Sequence, residues 1–269
     1  MSALINSRIS LCRNNVHPRV LPSVPACPRR KAKTVVPAVE KTPSLQPNEV
    51  LIKVHAVSLN YRDVGMLHGK YPVSVKDQGI PASDCAGEVV AVGSAVEKVS
   101  VGDRVSPVFD MKYLKDTDPQ NEVAQLGGNI DGVLQQYAVF DENVLVHTPQ
   151  HLSWEEAACI TCAGTTAWNS LTMPIDQGRK LTALMLDKKL QDIAALAPDG
   201  AIDVINYRSH PDWEKEVLRR TNGRGVDIVL ETVGGTSIKK SISSLAKRGV
   251  ISWVGWNWTG SRKLWATSS

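Results

Sequence analysis

Alternation of apolar and polar side chains is the strongest pattern in the first half of the chain. Apolar residues occupy every second position from Val50 to Ala56, which predicts a strand with one buried face. A valine-rich segment at 88–92 predicts a second strand, and a turn signal separates it from a third at 105–108. The segments 132–139 and 144–149 are typical of two further strands. Together these elements predict a small antiparallel barrel.

The second half has a different pattern, in which strands alternate with helices. Strands are predicted at 203–206, 226–233 and 249–255, and the middle one is almost continuously apolar, as expected when both faces are covered. Helices are predicted at 211–221 and 238–245. This alternation indicates a parallel sheet with helices packed on it, so the chain as a whole belongs to the α/β class.

Composition and charge narrow the class of protein. The chain has 269 residues, with 42% hydrophobic and 22% charged residues, and it has no apolar run long enough to span a membrane. Residues 1–39 hold seven basic and no acidic residues, so the remaining chain carries a net charge of −3. An acidic body argues against nucleic-acid binding. Five scattered cysteines, an odd number, favour free thiols in a reducing compartment.

Residues 1–48 are basic, proline-rich and without clear periodicity. An arginine-rich, acid-free segment is typical of a mitochondrial transit peptide, whereas four X-Pro pairs between 17 and 28 would break a presequence helix. We therefore expect a disordered tail and a cytoplasmic protein, with a transit peptide and a mitochondrial protein as the alternative.

A distinctive motif lies within the predicted barrel. Residues 84–93 follow the pattern D-x-A-G-x-V-x-x-V-G, and V-G-D-R-V follows at 101–105. This motif resembles the GroES-like N-terminal half of the medium-chain dehydrogenase/reductase superfamily, within its zinc-independent, quinone-oxidoreductase-like branch. Segments 226–234 and 249–255 resemble the later strands of that family's nucleotide-binding half. The resemblance implies a GroES-like β-barrel domain at 49–150 and a truncated Rossmann-like domain at 151–269.

The resemblance also implies where the reaction would take place. The N-x-x-D segment from Asn60 to Asp63 would line the cleft beneath the nicotinamide, which makes Asn60 and Asp63 the candidate catalytic residues. From the residues alone, a polar loop capped by Asp63 is the alternative. Tyr71 and Thr166 are candidate cofactor contacts, and a plain helix-start threonine is the alternative for Thr166.

Zinc is not expected. The zinc-dependent relatives have a cysteine at the position of Asn60 and a His-Glu pair at the position of Ser83 and Asp84, and neither Asn nor Ser is a usual zinc ligand. Cys159 and Cys162 form the sequence's one suggestive cysteine pair. They lie one turn apart on a predicted helix at 154–163, where buried core positions are the favoured interpretation.

The cofactor site is expected to be incomplete. In the family, a glycine-rich turn that receives the pyrophosphate should follow residues 178–180, but here a short apolar stretch at 181–186 is followed directly by Asp187. The resemblance still places Lys189 and Tyr207 beside the 2′-phosphate of NADP, with a solvated helix residue as the alternative for Lys189. It places Val233, Gly234 and Val254 at the nicotinamide.

The sequence therefore predicts ancestry as an NADPH-dependent oxidoreductase that transfers hydride to a quinone, an enal or a related activated carbonyl. Because the phosphate turn is missing, NADP binding is predicted to be weak or lost. The alternative is a non-catalytic truncated isoform or gene-model fragment. A small-molecule substrate and a homodimer are expected, and neither a nucleic acid nor a membrane is expected as a partner.

Overall fold

The computed structural model describes residues 5–12, 34–41, 44–71, 74–115, 123–176, 183–185, 202–235 and 237–254. The chain divides into two units, residues 1–165 and 166–269. Among the described residues, no helix is both long enough and apolar enough to cross a membrane.

The first unit is built mainly from antiparallel strands. Its strands are β1 (Ile5–Cys12), β2 (Thr34–Lys41), β3 (Glu49–Ser58), β4 (Asp84–Val92), β5 (Arg104–Pro107), β6 (Tyr137–Asp141) and β7 (Leu145–His147). Its helices are α1 (Tyr61–Leu67), a 3₁₀ turn (Glu142–Val144), α2 (Trp154–Ala158) and a π-helical turn (Ile160–Gly164). The predicted helix at 154–163 is therefore an α-helical turn followed by a π turn.

Five of these strands form one sheet in the order β6-β3-β4-β5-β7, and every neighbouring pair is antiparallel. The alternating pattern of β3 directs Val50 and Ile52 into the hydrophobic core, where both residues are completely buried. Gly87 allows β4 to lie against β3, because a Cβ there would be 2.6 Å from the Lys53 carbonyl oxygen. This sheet confirms the predicted antiparallel barrel-type fold.

The N-terminal segment differs from the prediction of a tail without regular structure. Strands β1 and β2 pair antiparallel along their whole length, from Ile5 opposite Lys41 to Cys12 opposite Thr34. The alternation in these strands is short, and Pro37 interrupts it in β2, so the sequence pattern is weak. Residues 13–33, between these strands, lie outside the described ranges.

The first unit extends past residue 150, the end predicted for the first domain, because α2 packs on the sheet. Ala157 and Ala158 are buried against Ala86 of β4. The Trp154 ring stacks on the His55 ring with 4.3 Å between centroids, and the Arg104 guanidinium lies 3.8 Å from the Trp154 centroid. These contacts make α2 part of the antiparallel unit.

The second unit alternates helices and strands, as predicted. Helix α3 (Thr165–Asp176) leads into it, followed by β8 (Ala183–Met185), β9 (Ile202–Val204), α4 (Trp213–Arg220), β10 (Val226–Glu231), α5 (Ser237–Ser243) and β11 (Leu245–Trp253). Strands β8 and β9 pair in parallel, and so do β10 and β11. Ile205, Val217 and Val226 form its buried cluster. The parallel pairs confirm the predicted sheet type.

Candidate functional site

The carboxylate of Asp84 is the centre of the polar cluster in the first unit. Asp84 begins β4 and is completely buried. Its Oδ1 accepts hydrogen bonds from the Thr161 hydroxyl (3.1 Å) and the Cys162 N–H (2.8 Å). Its Oδ2 accepts from the Ala163 N–H (3.2 Å) and from Nδ2 of Asn60 (3.0 Å). Four donors thus compensate one buried negative charge.

These bonds explain why the chain forms a π turn at 160–164. A π turn widens the helix and leaves amide groups outside the regular α-helical ladder, and such turns often occur at functional sites. Here the amides of Cys162 and Ala163 point to the Asp84 carboxylate instead. The turn is closed by a hydrogen bond from the Gly164 N–H to the Cys159 carbonyl oxygen, at 2.7 Å.

Asn60 and Asp63, the two predicted catalytic residues, lie together at the start of α1. The Asn60 N–H donates to Oδ2 of Asp63 at 2.7 Å, while the Asn60 side chain donates to Asp84. Asp63 is 7% exposed, and its Oδ1 has no hydrogen-bond partner among the described residues. Burial is the main cause that raises the pKa of Asp63, and the nearby charge of Asp84 raises it further. The Asn60 hydrogen bond, the charge of Arg62 and the backbone N–H of Ala82 oppose that shift.

Arg62 is a member of this site that the sequence did not identify. Its guanidinium lies 4.8 Å from the ring centroid of Phe109 and 5.4 Å from that of Tyr71. Nη1 donates to the Leu126 carbonyl oxygen at 2.8 Å, and Nε donates to the Tyr71 hydroxyl at 3.4 Å. Arg62 thereby joins Tyr71, a predicted cofactor contact, to the helix that carries Asn60 and Asp63.

The residues at this site do not fit a catalytic zinc ion. Asp84 has both carboxylate oxygens occupied by hydrogen-bond donors, and Asn60 presents an amide N–H to it. Within the part of the chain that the structure describes, no three His, Cys, Asp or Glu side chains are grouped to hold a metal ion. Three protein ligands are the minimum of a catalytic zinc site. The cluster is therefore arranged to hold backbone amides.

Cys159, which precedes the π turn, and Cys162, which lies within it, differ from each other. Cys159 is exposed and Cys162 is half-buried, so the prediction of buried core positions is wrong for Cys159. The reason is the π turn, which changes the helical register between them. Burial, followed by the charge of Asp84, raises the pKa of the Cys162 thiol to about 11. Cys162 is therefore a thiol rather than a thiolate at neutral pH.

Three predicted nicotinamide contacts of the second unit are hydrogen-bonded to one residue, Glu231. Glu231 ends β10 and accepts hydrogen bonds from the N–H groups of Val233 (2.7 Å) and Gly234 (2.8 Å). The Val254 N–H donates to the main-chain oxygen of Glu231 at 2.9 Å. Glu231 was not among the predicted site residues, although it lies between a mostly apolar strand and a glycine pair.

The remaining predicted cofactor residues are not joined to this group. Thr166 is exposed in α3, where its carbonyl oxygen accepts from the Ser170 hydroxyl at 2.6 Å. Tyr207 is 38% exposed in the turn after β9. Lys189 and the segment where the phosphate turn was expected, apart from β8, lie outside the described residues. The predicted contact of Lys189 with the cofactor therefore stays a prediction.

Family comparisons agree with the two-part organisation. Residues 46–150 match the model of the alcohol dehydrogenase GroES-like domain, and residues 182–267 match the model named zinc-binding dehydrogenase. A zinc-type alcohol dehydrogenase-like protein of Schizosaccharomyces pombe is 36% identical over 240 positions, covering 78% of this chain and 68% of the relative. The 240 aligned positions outnumber the residues of this chain that they include, which are 78% of 269. The alignment therefore contains positions at which the relative has internal residues that this chain lacks.

A quinone oxidoreductase of Pseudomonas aeruginosa is 29% identical over 229 positions, which cover 76% of this chain. The chain spans 64% of the length of that relative. Among solved structures, an NAD-dependent alcohol dehydrogenase superposes with a TM-score of 0.69 at 27% identity, covering 84% of this chain and 76% of the other. An alcohol dehydrogenase of Thermus sp. ATN1 shares the fold at 24% identity and a TM-score of 0.65.

Proposed function

Because the chain belongs to the medium-chain dehydrogenase/reductase superfamily of oxidoreductases, we propose that its site is of the zinc-independent kind and serves NADPH-dependent reduction of a quinone, an enal or a related activated carbonyl. The observation that carries this proposal is the hydrogen bonding of the Asp84 carboxylate. A carboxylate whose two oxygens already accept four hydrogen bonds is not available as a metal ligand. Activation of the substrate by a metal ion is therefore not part of the proposal.

When bound, the nicotinamide supplies hydride from its C4 atom. The protein then has to orient the acceptor and hold one proton for the reduced product. Asp63 suits the second task, because it is the carboxyl group of this cluster whose pKa is raised, and its Oδ1 has no partner in the described part of the chain. Asn60 links Asp63 to Asp84 and thereby fixes the position of Asp63.

The residues fit NADP only in part. Lys189 and Tyr207 are the proposed contacts of the 2′-phosphate, and Val233, Gly234 and Val254 are the proposed contacts of the nicotinamide. The pyrophosphate lies between these two ends of the cofactor, and the sequence has no glycine-rich turn that would bind it. Hydrogen bonds to a charged group contribute about 1.5–3 kcal/mol each, so losing two of them weakens binding by about 100-fold or more. Weak binding of NADPH is therefore part of the proposal.

A non-catalytic form is the second candidate, and the missing phosphate turn is the observation that favours it. Two measurements on the full chain separate the candidates. The first is a titration with NADPH that is monitored by nicotinamide fluorescence, and the second is metal analysis of the same sample. We expect binding that does not saturate below about 0.1 mM and substoichiometric zinc. No binding at millimolar NADPH would favour the non-catalytic form. Near one zinc per chain would overturn the zinc-independent assignment.

A further inference from the structure

The carboxylate of Glu231 has an unusual environment for a charged group. Glu231 is 2% exposed, and no Lys, Arg or His forms an ion pair with it among the residues that the structure describes. A buried charge without a counterion is costly unless hydrogen bonds replace its hydration. Here its Oε1 accepts from two backbone N–H groups and its Oε2 accepts from the Ser241 hydroxyl.

Those hydrogen bonds keep the carboxylate ionised despite its burial. Burial raises the pKa of Glu231, but the Ser241 hydroxyl and the Gly234 and Val233 N–H groups together outweigh burial and lower the pKa below its usual value. The group is therefore a strong acceptor at neutral pH.

The turn held by Glu231 contains two glycines and one exposed valine side chain. Gly234 and Gly235 both have positive φ, at 67° and 51°, a region that glycine enters freely and can also leave freely. Val233 is 58% exposed, so its side chain packs little against the protein. At its far end the turn meets α5, where the Ser237 N–H donates to the Gly234 carbonyl oxygen at 2.9 Å.

We infer that Glu231 is the positioning residue of the turn at 232–234, and that its acceptor oxygen fixes the backbone by which Val233 and Gly234 meet the nicotinamide. The inference rests on the proposed function, since that function assigns these two residues to the cofactor. Ser241 extends the connection from the end of β10 to α5. Glu231 itself need not touch the cofactor, because it acts through the conformation of the turn.

Two substitutions of similar volume separate the acceptor role from the charge. Glu231→Gln removes the charge but keeps an oxygen that can accept from both N–H groups. Glu231→Met removes the charge and both acceptors. Asp227→Asn is the matched control, because Asp227 lies on the same strand, is 7% exposed, and pairs with Arg224 at 2.7 Å rather than with the turn.

The full chain of each variant is measured in two ways. Hydrogen exchange measures how well the Val233 and Gly234 amides are protected. The rate of NADPH oxidation with a quinone acceptor is measured at several millimolar NADPH concentrations, and its slope gives kcat/KM. We expect E231M to speed exchange at 232–235 by at least tenfold and to lower kcat/KM by at least tenfold. We expect E231Q and D227N to stay within about threefold of the unmodified chain on both measures.

Equal damage in E231Q and E231M would overturn the inference, because the charge or the packing would then matter rather than the acceptor. Unchanged exchange in E231M would overturn it as well. If the unmodified chain neither binds nor oxidises NADPH, the proposed function fails, and the exchange measurement alone decides whether Glu231 fixes the turn.

Discussion

Replacing Asp84 by Asn removes the charge at the centre of the polar cluster with almost no change in shape. Each oxygen of Asp84 accepts from one backbone N–H, Cys162 at Oδ1 and Ala163 at Oδ2. An asparagine has one oxygen, so in either orientation its amide nitrogen faces one of these N–H groups. The side chains of Thr161 and Asn60 can reorient, but the backbone amides cannot.

The size of the effect follows from these four bonds. One buried N–H without an acceptor costs about 1–3 kcal/mol. The other three bonds lose their charge assistance and become weaker by about 0.5–1 kcal/mol each. The expected loss is therefore about 2.5–6 kcal/mol, which is a large part of the 5–15 kcal/mol that stabilises a typical domain.

Hydrogen exchange of the full chain measures this loss where it acts. The amides of β4 lie in the middle of the five-stranded sheet, so they exchange when the first unit opens. We expect D84N to reduce their protection by about two to four orders of magnitude. Exchange at 160–164 should increase in parallel, because the π turn loses its acceptor.

Asp131→Asn provides the control for this experiment. Asp131 also accepts from a backbone N–H, Ile80 at 3.1 Å, and from the Lys76 ammonium at 2.6 Å, but its side chain is 35% exposed. A solvent-exposed pair of this kind contributes about 1 kcal/mol or less. If D84N weakens β4 protection no more than D131N does, the central role of Asp84 in the cluster is refuted.

Three further outcomes follow from the first unit. The folded-state pKa of Asp63 is raised, so the contribution of Asp63 to stability is lost as pH rises above about 4. The urea midpoint of Asp63→Asn should therefore rise relative to that of the wild-type chain between pH 4 and pH 8, and a constant difference would contradict this. Because the pKa of Cys162 is raised to about 11, about 0.1% of it is thiolate at pH 8. Peptide mass spectrometry should therefore find the exposed Cys159 alkylated well before Cys162, and the reverse order would contradict the partial burial of Cys162. A Cβ on Gly132 would lie 2.5 Å from the Pro81 carbonyl oxygen. Gly132→Ala should therefore lower the free energy of unfolding in a urea titration by at least about 2 kcal/mol, and an unchanged midpoint would refute this close approach.

Much of the fold was predictable because its strands have strong local patterns. The alternation of β3 and the mostly apolar run of β10 each indicate which faces are covered, and this is a local property of the sequence. The N-terminal strands were missed because prolines and basic residues obscure a short alternation. The predicted domain at 49–150 corresponds to the family-model match at 46–150, whereas the packing of α2 on β4 was not predicted because it joins residues distant in sequence.

The candidate site was predictable only in its residue types. Asn60 and Asp63 were identified through the family resemblance, and the structure brings them into contact. The role of Asp84 as an acceptor for amides of the π turn joins residues 78 positions apart, so no local pattern indicates it. Arg62 and Glu231 have no periodicity or motif of their own, and only the folded chain shows their partners.

Quinone reduction at millimolar NADPH, with and without a zinc chelator, tests the proposed function most directly. The rate of NADPH oxidation by the full chain is followed at several NADPH concentrations with a simple quinone as acceptor. We predict a rate that requires the quinone, rises almost linearly with NADPH up to about 1 mM, and is unchanged by 1,10-phenanthroline. A rate that the chelator abolishes and zinc restores would contradict the account, and so would saturation at micromolar NADPH.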